Sequence, residues 1–168
     1  KAIAYHQISK DPKLSRKSEY SRAYREALDN LVRAIQKDRY GEYFPDNDFI
    51  IEDIMNTGLK LTDSLMKSEK YNKAIVYYRK MMRVYNDFGL YFMKAVLDIY
   101  TYNERGGVDW LEEAFFDFDA AMDTVSDNTR YLVKDGFVYF FDYLVKEEEF
   151  DSAKNVIKRA HLYFPDAS

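Results

Sequence analysis

Apolar residues recur at three- and four-residue steps along most of this chain, and that spacing constrains its fold more than any other feature. Between residues 15 and 39, charged side chains separate one such apolar series: Tyr20, Tyr24, Ala27, Leu28, Leu31 and Ile35. This pattern is typical of an amphipathic α-helix. Because only six glycines and three prolines interrupt the 168 residues, we expect long helices.

The same spacing predicts further helices, giving an all-α fold of about seven. The predicted breaks lie at residues 40–45, 68–70, 103–107, 126–128 and 147–149. Gly106 and Gly107 are typical of a turn with positive φ, whereas Gly58 lies inside a predicted helix and indicates a close neighbour. No stretch alternates with period two for long enough to predict a β-strand.

Two of the joints between predicted helices are similar in sequence. Residues 68–74 read SEKYNKA and residues 147–153 read EEEFDSA, each with an aromatic residue three positions before an alanine. With a looser middle copy, WLEEA, the three alanines stand 40 and 39 residues apart: Ala74, Ala114 and Ala153. A period near 40 residues indicates an array of helix pairs.

At these positions the chain resembles the tetratricopeptide repeat (TPR) family. The resemblance is carried by Phe137, Phe140, Leu144, Phe150, Ala153, Ile157, Ala160 and Pro165, and by Leu61, Leu65, Tyr71, Ala74 and Tyr78. Met81 and Asn86 depart from the family pattern, which usually has alanine and proline there. The resemblance implies stacked antiparallel helical hairpins, a TPR-like α-solenoid. We expect one domain over residues 1–168, with pairs at about 15–67, 58–86, 90–126 and 131–164, the first two overlapping.

The resemblance also implies that a peptide or partner helix binds on an apolar inner surface. The residues expected to line that groove are Leu59, Met66, Met93, Leu97, Tyr100, Val138 and Val145. A scaffold or adaptor is the function we expect, and a ligand- or peptide-sensing regulatory domain of a larger protein is the alternative. In a competing structural interpretation, the same side chains belong to a compact core, and Met93 and Leu97 are then buried.

Several functional classes lack support in the sequence. There is no cysteine, and His6 and His161 have no metal-binding partner at ligand spacing, so we expect neither a metal site, a cofactor nor an enzyme. Nucleic-acid binding is not favoured, because Tyr20 and Tyr24 of the basic first helix lie on its apolar stripe. No apolar run reaches the roughly 18 residues of a membrane helix. The lack of cysteine weakly favours a reducing, cytoplasmic setting.

The last predicted helix carries more apolar side chains than packing on one neighbour requires: Ala153, Val156, Ile157, Ala160, Leu162 and Phe164. Terminal repeats of helical arrays normally have a polar outer face. We therefore expect the chain to be a fragment of a longer array or to form a homo-oligomer, unless its apolar N-terminal segment, residues 2–8, covers this helix.

Acidic residues concentrate in the middle of the chain. Nine of them lie between residues 98 and 127, a stretch whose one basic residue is Arg105. The centre of this predicted acidic patch is formed by Glu112, Glu113, Asp117 and Asp123. We expect the patch to attract a basic partner or the basic first helix of another copy.

This attraction predicts salt-dependent association. Because charges are screened over about 10 Å at 0.1 M salt, binding of a basic peptide should weaken at least severalfold when the salt concentration is raised about tenfold. Fluorescence anisotropy with a labelled oligolysine peptide measures this, and E112K/D117K should weaken the low-salt binding. Affinity that does not change with salt would contradict the prediction.

Overall fold

A computed structural model of the chain describes residues 1–38, 48–101, 106–108, 111, 114, 115, 119 and 125–165. Regular secondary structure in these residues is helical throughout, which confirms the all-α prediction. The helices with complete bounds are α1 (Ala2–Lys10), α2 (Ala23–Lys37), α3 (Asp48–Lys67), α4 (Tyr71–Met81), α5 (Phe88–Tyr100), α6 (Asp127–Lys146) and α7 (Phe150–Tyr163). Residues 106–108, 111, 114, 115 and 119 are also helical and are called the connecting segment. None of the described helices is long and apolar enough to cross a membrane.

The structure differs from the predicted helices in their number, in the starts of two helices and at one predicted loop. α2 begins at Ala23 rather than near residue 15, and α6 begins at Asp127, inside the predicted break at residues 126–128. With the connecting segment counted as one, the described residues contain eight α-helices rather than about seven, and the additional helix is α1. The predicted loop is wrong at Gly106 and Gly107, which are helical. A Cβ atom on Gly107 would lie 2.5 Å from Ile99 Cγ1 and 2.8 Å from the Ala95 carbonyl oxygen. Gly107 therefore permits close packing on α5 and does not form a turn.

The chain divides into two compact units, an N-terminal unit Lys1–Asn86 and a C-terminal unit Asp87–Ser168. In the N-terminal unit α1 packs on α2, α3 packs on α4, and α2 also contacts α3 and α4. In the C-terminal unit α6 packs on both α5 and α7. The prediction that residues 1–168 form one domain stays a prediction.

A tyrosine of α2 packs over a glycine of α3 in the N-terminal unit. The buried Tyr24 hydroxyl donates a hydrogen bond of 2.8 Å to the Ile54 carbonyl oxygen. A Cβ atom on Gly58 would lie 2.1 Å from that hydroxyl oxygen, so the close neighbour that Gly58 indicates is Tyr24. Burial raises the pKa of Tyr24 above its ordinary value of 10.0, so the hydroxyl remains a donor at neutral pH.

An aromatic cluster joins three helical elements of the C-terminal unit. The Phe92 ring of α5 lies 5.3 Å from both Phe115 of the connecting segment and Phe137 of α6, measured between ring centroids. Phe115 and Phe137 are 5.5 Å apart. These separations fall in the range of favourable aromatic pairs, and all three side chains are buried. The cluster fixes one side of α6 against its neighbours.

The first turns of α5 and α6 are tied together by their capping residues. Asp87 accepts a hydrogen bond from the Leu90 amide at 3.3 Å and another from the Thr129 hydroxyl at 2.6 Å. The Ser126 side chain accepts from the Thr129 amide at 3.1 Å and caps α6. Each cap satisfies an amide that the helix itself leaves unpaired. The shared Thr129 links the two helix starts directly.

The pairs α3–α4 and α6–α7 are helical hairpins whose helices begin at matching positions, although α7 runs three residues further than α4. The offset between them is 79 residues, which is the separation of Lys67 from Lys146 and of Tyr71 from Phe150. Three residues join the two helices of each hairpin, as the similar SEKYNKA and EEEFDSA sequences predict.

The two joints also share their backbone geometry. The central glutamate of each is left-handed, with φ of 54° at Glu69 and 62° at Glu148. The following amide donates back to the first helix, from Lys70 to Leu65 at 2.9 Å and from Glu149 to Leu144 at 2.8 Å. This bond from the third residue past the last helical one is characteristic of a Schellman motif. The chain therefore reverses in the same way in both hairpins.

Gly58→Ala should destabilise the protein although alanine is the better helix former. The added methyl group overlaps the Tyr24 hydroxyl, and overpacking of a core costs about 1–3 kcal/mol in the free energy of unfolding. Urea denaturation followed by circular dichroism measures the change. In Gly58→Ala/Tyr24→Phe the hydroxyl is absent, so the double mutant should lose less stability than the two single changes added together. Strict additivity would contradict this contact.

Candidate functional site

Three of the seven residues predicted to line a peptide groove are buried. Met66, Met93 and Leu97 are 2%, 1% and 0% exposed, so no peptide reaches them in this structure. The prediction of an accessible surface is wrong for these three side chains. α5 is apolar nearly all round, and such a helix is buried on most of its faces.

The other four predicted residues are more accessible, but they differ in role. Leu59 and Tyr100 are half-buried. The Tyr100 hydroxyl donates a hydrogen bond of 2.8 Å to the Tyr139 carbonyl oxygen, which gives it a structural partner. Val138 and Val145 are exposed on α6, at 54% and 40%. Of the seven residues predicted to line a peptide groove, only these two valines present a largely open apolar surface.

The predicted acidic patch of Glu112, Glu113, Asp117 and Asp123 lies outside the described residues. Three acidic residues of the same stretch are described, and the carboxylates of Asp98 and Asp119 are paired. Asp98 is buried, with its Oδ2 atom 2.5 Å from Lys94 Nζ. Asp119 accepts from Arg159 at 3.0 Å and from the Tyr163 hydroxyl. These two carboxylates are therefore used within the C-terminal unit.

A groove of about 220 Å³ lies between α6 and α7 and is called the α6–α7 groove. It is lined by Lys134, Phe137, Val138, Phe141, Val156, Ile157, Ala160, His161 and Phe164. The α6 residues in this set recur at three- and four-residue steps, as do those of α7, so each helix contributes one wall.

The α6–α7 groove has a buried floor and open walls. Phe137 and Val156 at the floor are 4% and 9% exposed, whereas Ile157 on the α7 wall is 40% exposed. Val138, on the α6 wall, is the one lining residue that was also among the seven predicted to line a peptide groove. Large apolar side chains at this exposure, side by side around a cavity, are characteristic of an interaction surface.

The polar groups of the groove lie at one end. Lys134 on α6 and His161 on α7 line the same cavity and are both exposed. They come together because the hairpin is antiparallel, which places the start of α6 beside the end of α7. No carboxylate is among the lining residues, so the groove is apolar with a basic end.

Part of this site is predicted from the sequence. The excess apolar surface of the last helix identifies Val156, Ile157, Ala160 and Phe164. Lys134 and Phe141 are missed, because α6 is apolar on two sides and periodicity does not tell which side its neighbours cover. The neighbours of α6 supply that information: the core cluster buries Phe137 and half-buries Phe141, while Val138 and Lys134 beside them remain exposed.

A second cavity, of about 760 Å³, lies in the N-terminal unit between α1, α2 and the start of α3. Its lining includes Ala34 and Lys37 on one side and Ile50 and Ile51 on the other. These residues flank positions 39–47, which are outside the described part of the chain. The α6–α7 groove, lined by described residues on both walls, is therefore the better-defined site.

His6 of α1 is buried, at 1% exposure, and contacts the carboxylate of Asp53 on α3. Its Nε2 atom lies 2.8 Å from Asp53 Oδ2, and Lys10 Nζ donates to the same carboxylate at 2.9 Å. Hydrogen bonds from Lys10 and then from His6 hold the pKa of Asp53 below its ordinary value of 3.8. This cluster anchors α1 to α3. Within the described ranges no group of three or more His, Asp or Glu residues is placed to hold a metal ion.

Comparisons of the chain with protein-family models, curated proteins and solved structures find no match.

Asp53→Asn should destabilise the protein more at neutral than at acidic pH. A carboxylate whose pKa is lowered by folding contributes stability above its unfolded-state pKa and loses that contribution as pH falls through the folded-state pKa. We expect a loss of about 1 kcal/mol at pH 7, reduced by salt, that diminishes as pH falls below the ordinary carboxyl pKa of 3.8.

Urea denaturation of both proteins across this pH range provides the measurement. Asp63→Asn on the same helix is the control, because Asp63 forms an exposed pair with Lys67 at 2.8 Å and should cost less. A destabilisation by Asp53→Asn that is the same at every pH would contradict the electrostatic account.

Proposed function

We propose that this chain is a scaffold or adaptor that binds a segment of a partner protein in the α6–α7 groove. In this proposal the hairpins stack as a TPR-like solenoid, and the groove is the open face of the last hairpin. The observation that carries the proposal is the exposure of Val138 and Ile157 on the two walls of an apolar cavity.

Burial of these side chains by a partner would be favourable. Removing apolar surface from water stabilises a contact by roughly 25 cal/mol per Å², and fully burying one valine or isoleucine gives about 1.5–3 kcal/mol. Phe141 and Phe164 are half-buried beside them and add aromatic surface, which is frequent at the centre of interfaces. A partner that covers the groove therefore gains from several adjoining contacts.

The size of the cavity favours a protein partner over a small molecule. Pockets for drug-sized ligands usually enclose about 300–1,000 Å³, and the α6–α7 groove has about 220 Å³. A volume of this size takes one or two protruding side chains of a partner. The rest of such a partner would lie along the exposed walls.

The proposal predicts that peptide binding depends on Ile157. Peptides selected by phage display against the wild-type protein should lose at least tenfold in affinity for Ile157→Glu, because a buried, unpaired carboxylate is costly. Isothermal titration calorimetry with the selected synthetic peptides measures the affinities.

Leu162→Glu is the matched control. Leu162 lies on the same helix and is 75% exposed, but it is not among the residues that line the groove. It should bind the peptides like the wild type. Equal affinity of the Ile157→Glu protein, with circular dichroism showing that it is folded, would contradict the proposal.

A further inference from the structure

The 79-residue offset between the two hairpins gives every groove residue a counterpart in the N-terminal unit. Val138 corresponds to Leu59, Phe141 to Thr62 and Ile157 to Tyr78, while Lys134, His161 and Phe164 correspond to Met55, Met82 and Tyr85. The matched helix starts and joints make this a structural correspondence as far as Met81 and Ala160, where α4 ends, and one of sequence position beyond it.

The counterpart face of the α3–α4 hairpin is covered, while the α6–α7 groove is open. Thr62 and Tyr78 are 0% and 2% exposed. Their counterparts Phe141 and Ile157 are half-buried and exposed, respectively. Met55 is buried where Lys134 is exposed. The same backbone face is thus closed in one hairpin and accessible in the other.

The face that carries the groove floor shows what kind of element this backbone accepts, because Gly58 and Tyr77 correspond to Phe137 and Val156 at that floor. α2 places Tyr24 against Gly58 on α3 and against Tyr77 on α4, whose ring lies 5.8 Å from that of Tyr24. In the C-terminal unit the connecting segment, which is helical, places Phe115 against Phe137 of α6. Both hairpins therefore accept a helix on this face.

The open groove has the shape that suits another helix. Its walls are rows of side chains at helical spacing on two antiparallel helices, and the ridge of a third helix packs between such rows. An extended peptide would find no free strand edge to pair with, since the described C-terminal unit is helical. Helix-in-groove binding satisfies the backbone of the partner internally.

The basic end of the groove specifies the polar chemistry of the partner. Lys134 and His161 are the polar lining residues, and no acidic side chain accompanies them. A carboxylate on the partner would complement this end, whereas a second copy of the same groove would bring only basic or neutral polar groups to it.

We infer that the occupant of the α6–α7 groove is an amphipathic α-helix of a partner protein, with acidic residues at the end that meets Lys134 and His161. This inference rests on the proposed function and adds the conformation and charge of the bound segment. Apolar side chains on successive turns of that helix lie against Val138, Phe141 and Ile157. Its acidic end fixes the direction in which it lies.

A synthetic probe tests conformation and charge together. The probe is a fluorescein-labelled peptide of about 15 residues, roughly four helical turns, with leucines at i, i+3, i+4 and i+7 spacing and two glutamates at one end. One variant carries lysines in place of the glutamates, and another carries a central proline. Fluorescence anisotropy at low salt should show the glutamate probe binding about tenfold more tightly than the lysine probe. The proline probe should lose at least tenfold.

Charge reversal on the protein supplies the decisive comparison. Lys134→Glu should invert the preference between the glutamate and lysine probes, while Lys73→Glu, at an exposed position on α4, should leave it unchanged. A proline probe that binds as well as the others, or a preference that Lys134→Glu does not alter, overturns this inference. In that case, Ile157-dependent binding of the selected peptides would still support the proposed function. Loss of all Ile157-dependent binding would overturn both.

Discussion

The reversal of the chain at two glutamates is the constraint on which both hairpins depend. Glu69 and Glu148 adopt positive φ, a conformation that costs a residue with a side chain about 1 kcal/mol and that glycine adopts freely. The amide after each glutamate recovers part of that cost by bonding to the end of the preceding helix. Only after this reversal can Ala74 and Ala153, both buried, bring the second helix close to the first.

Each hairpin packs a helical neighbour at its floor position, and the exposure of the walls beside that position separates structure from function. The N-terminal hairpin holds Tyr24 against Gly58 on one face, and the C-terminal hairpin holds Phe115 against Phe137 on the corresponding one. These contacts fix the helices by packing and aromatic geometry. Beside that contact, Val138 and Ile157 on the walls of the α6–α7 groove remain exposed. The floor is already buried and packed, so less ordering is needed on binding, which lowers its entropic cost.

Local pattern was sufficient for the helices and joints but not for the surfaces. The helical spacing of apolar residues and the positions of helix-breaking residues predict the bounds of α3, α5 and α7 closely. The two similar seven-residue stretches predict the equivalent joints. α1 is missed because its amphipathic pattern is weak, and it is held by contacts of His6 and Lys10 with Asp53, more than 40 positions away in the chain. Met93 and Leu97 are misassigned for a related reason. An apolar residue at helical spacing has the same pattern in a core and in a groove, and only the packing of other helices distinguishes the two.

The contrast between Gly58 and Phe137 has a consequence for folding fidelity in a chain that contains two similar hairpins. At this equivalent backbone position in the N-terminal unit, α2 supplies an aromatic ring, Tyr24, over Gly58. In the C-terminal unit the hairpin itself supplies the ring, Phe137. If α2 docked on the wrong hairpin, Tyr24 would compete with Phe137 for the space that Gly58 leaves free. Repeated elements are prone to exchange partners during folding. Steric exclusion at this one position makes such an exchange unfavourable while leaving the common backbone unchanged.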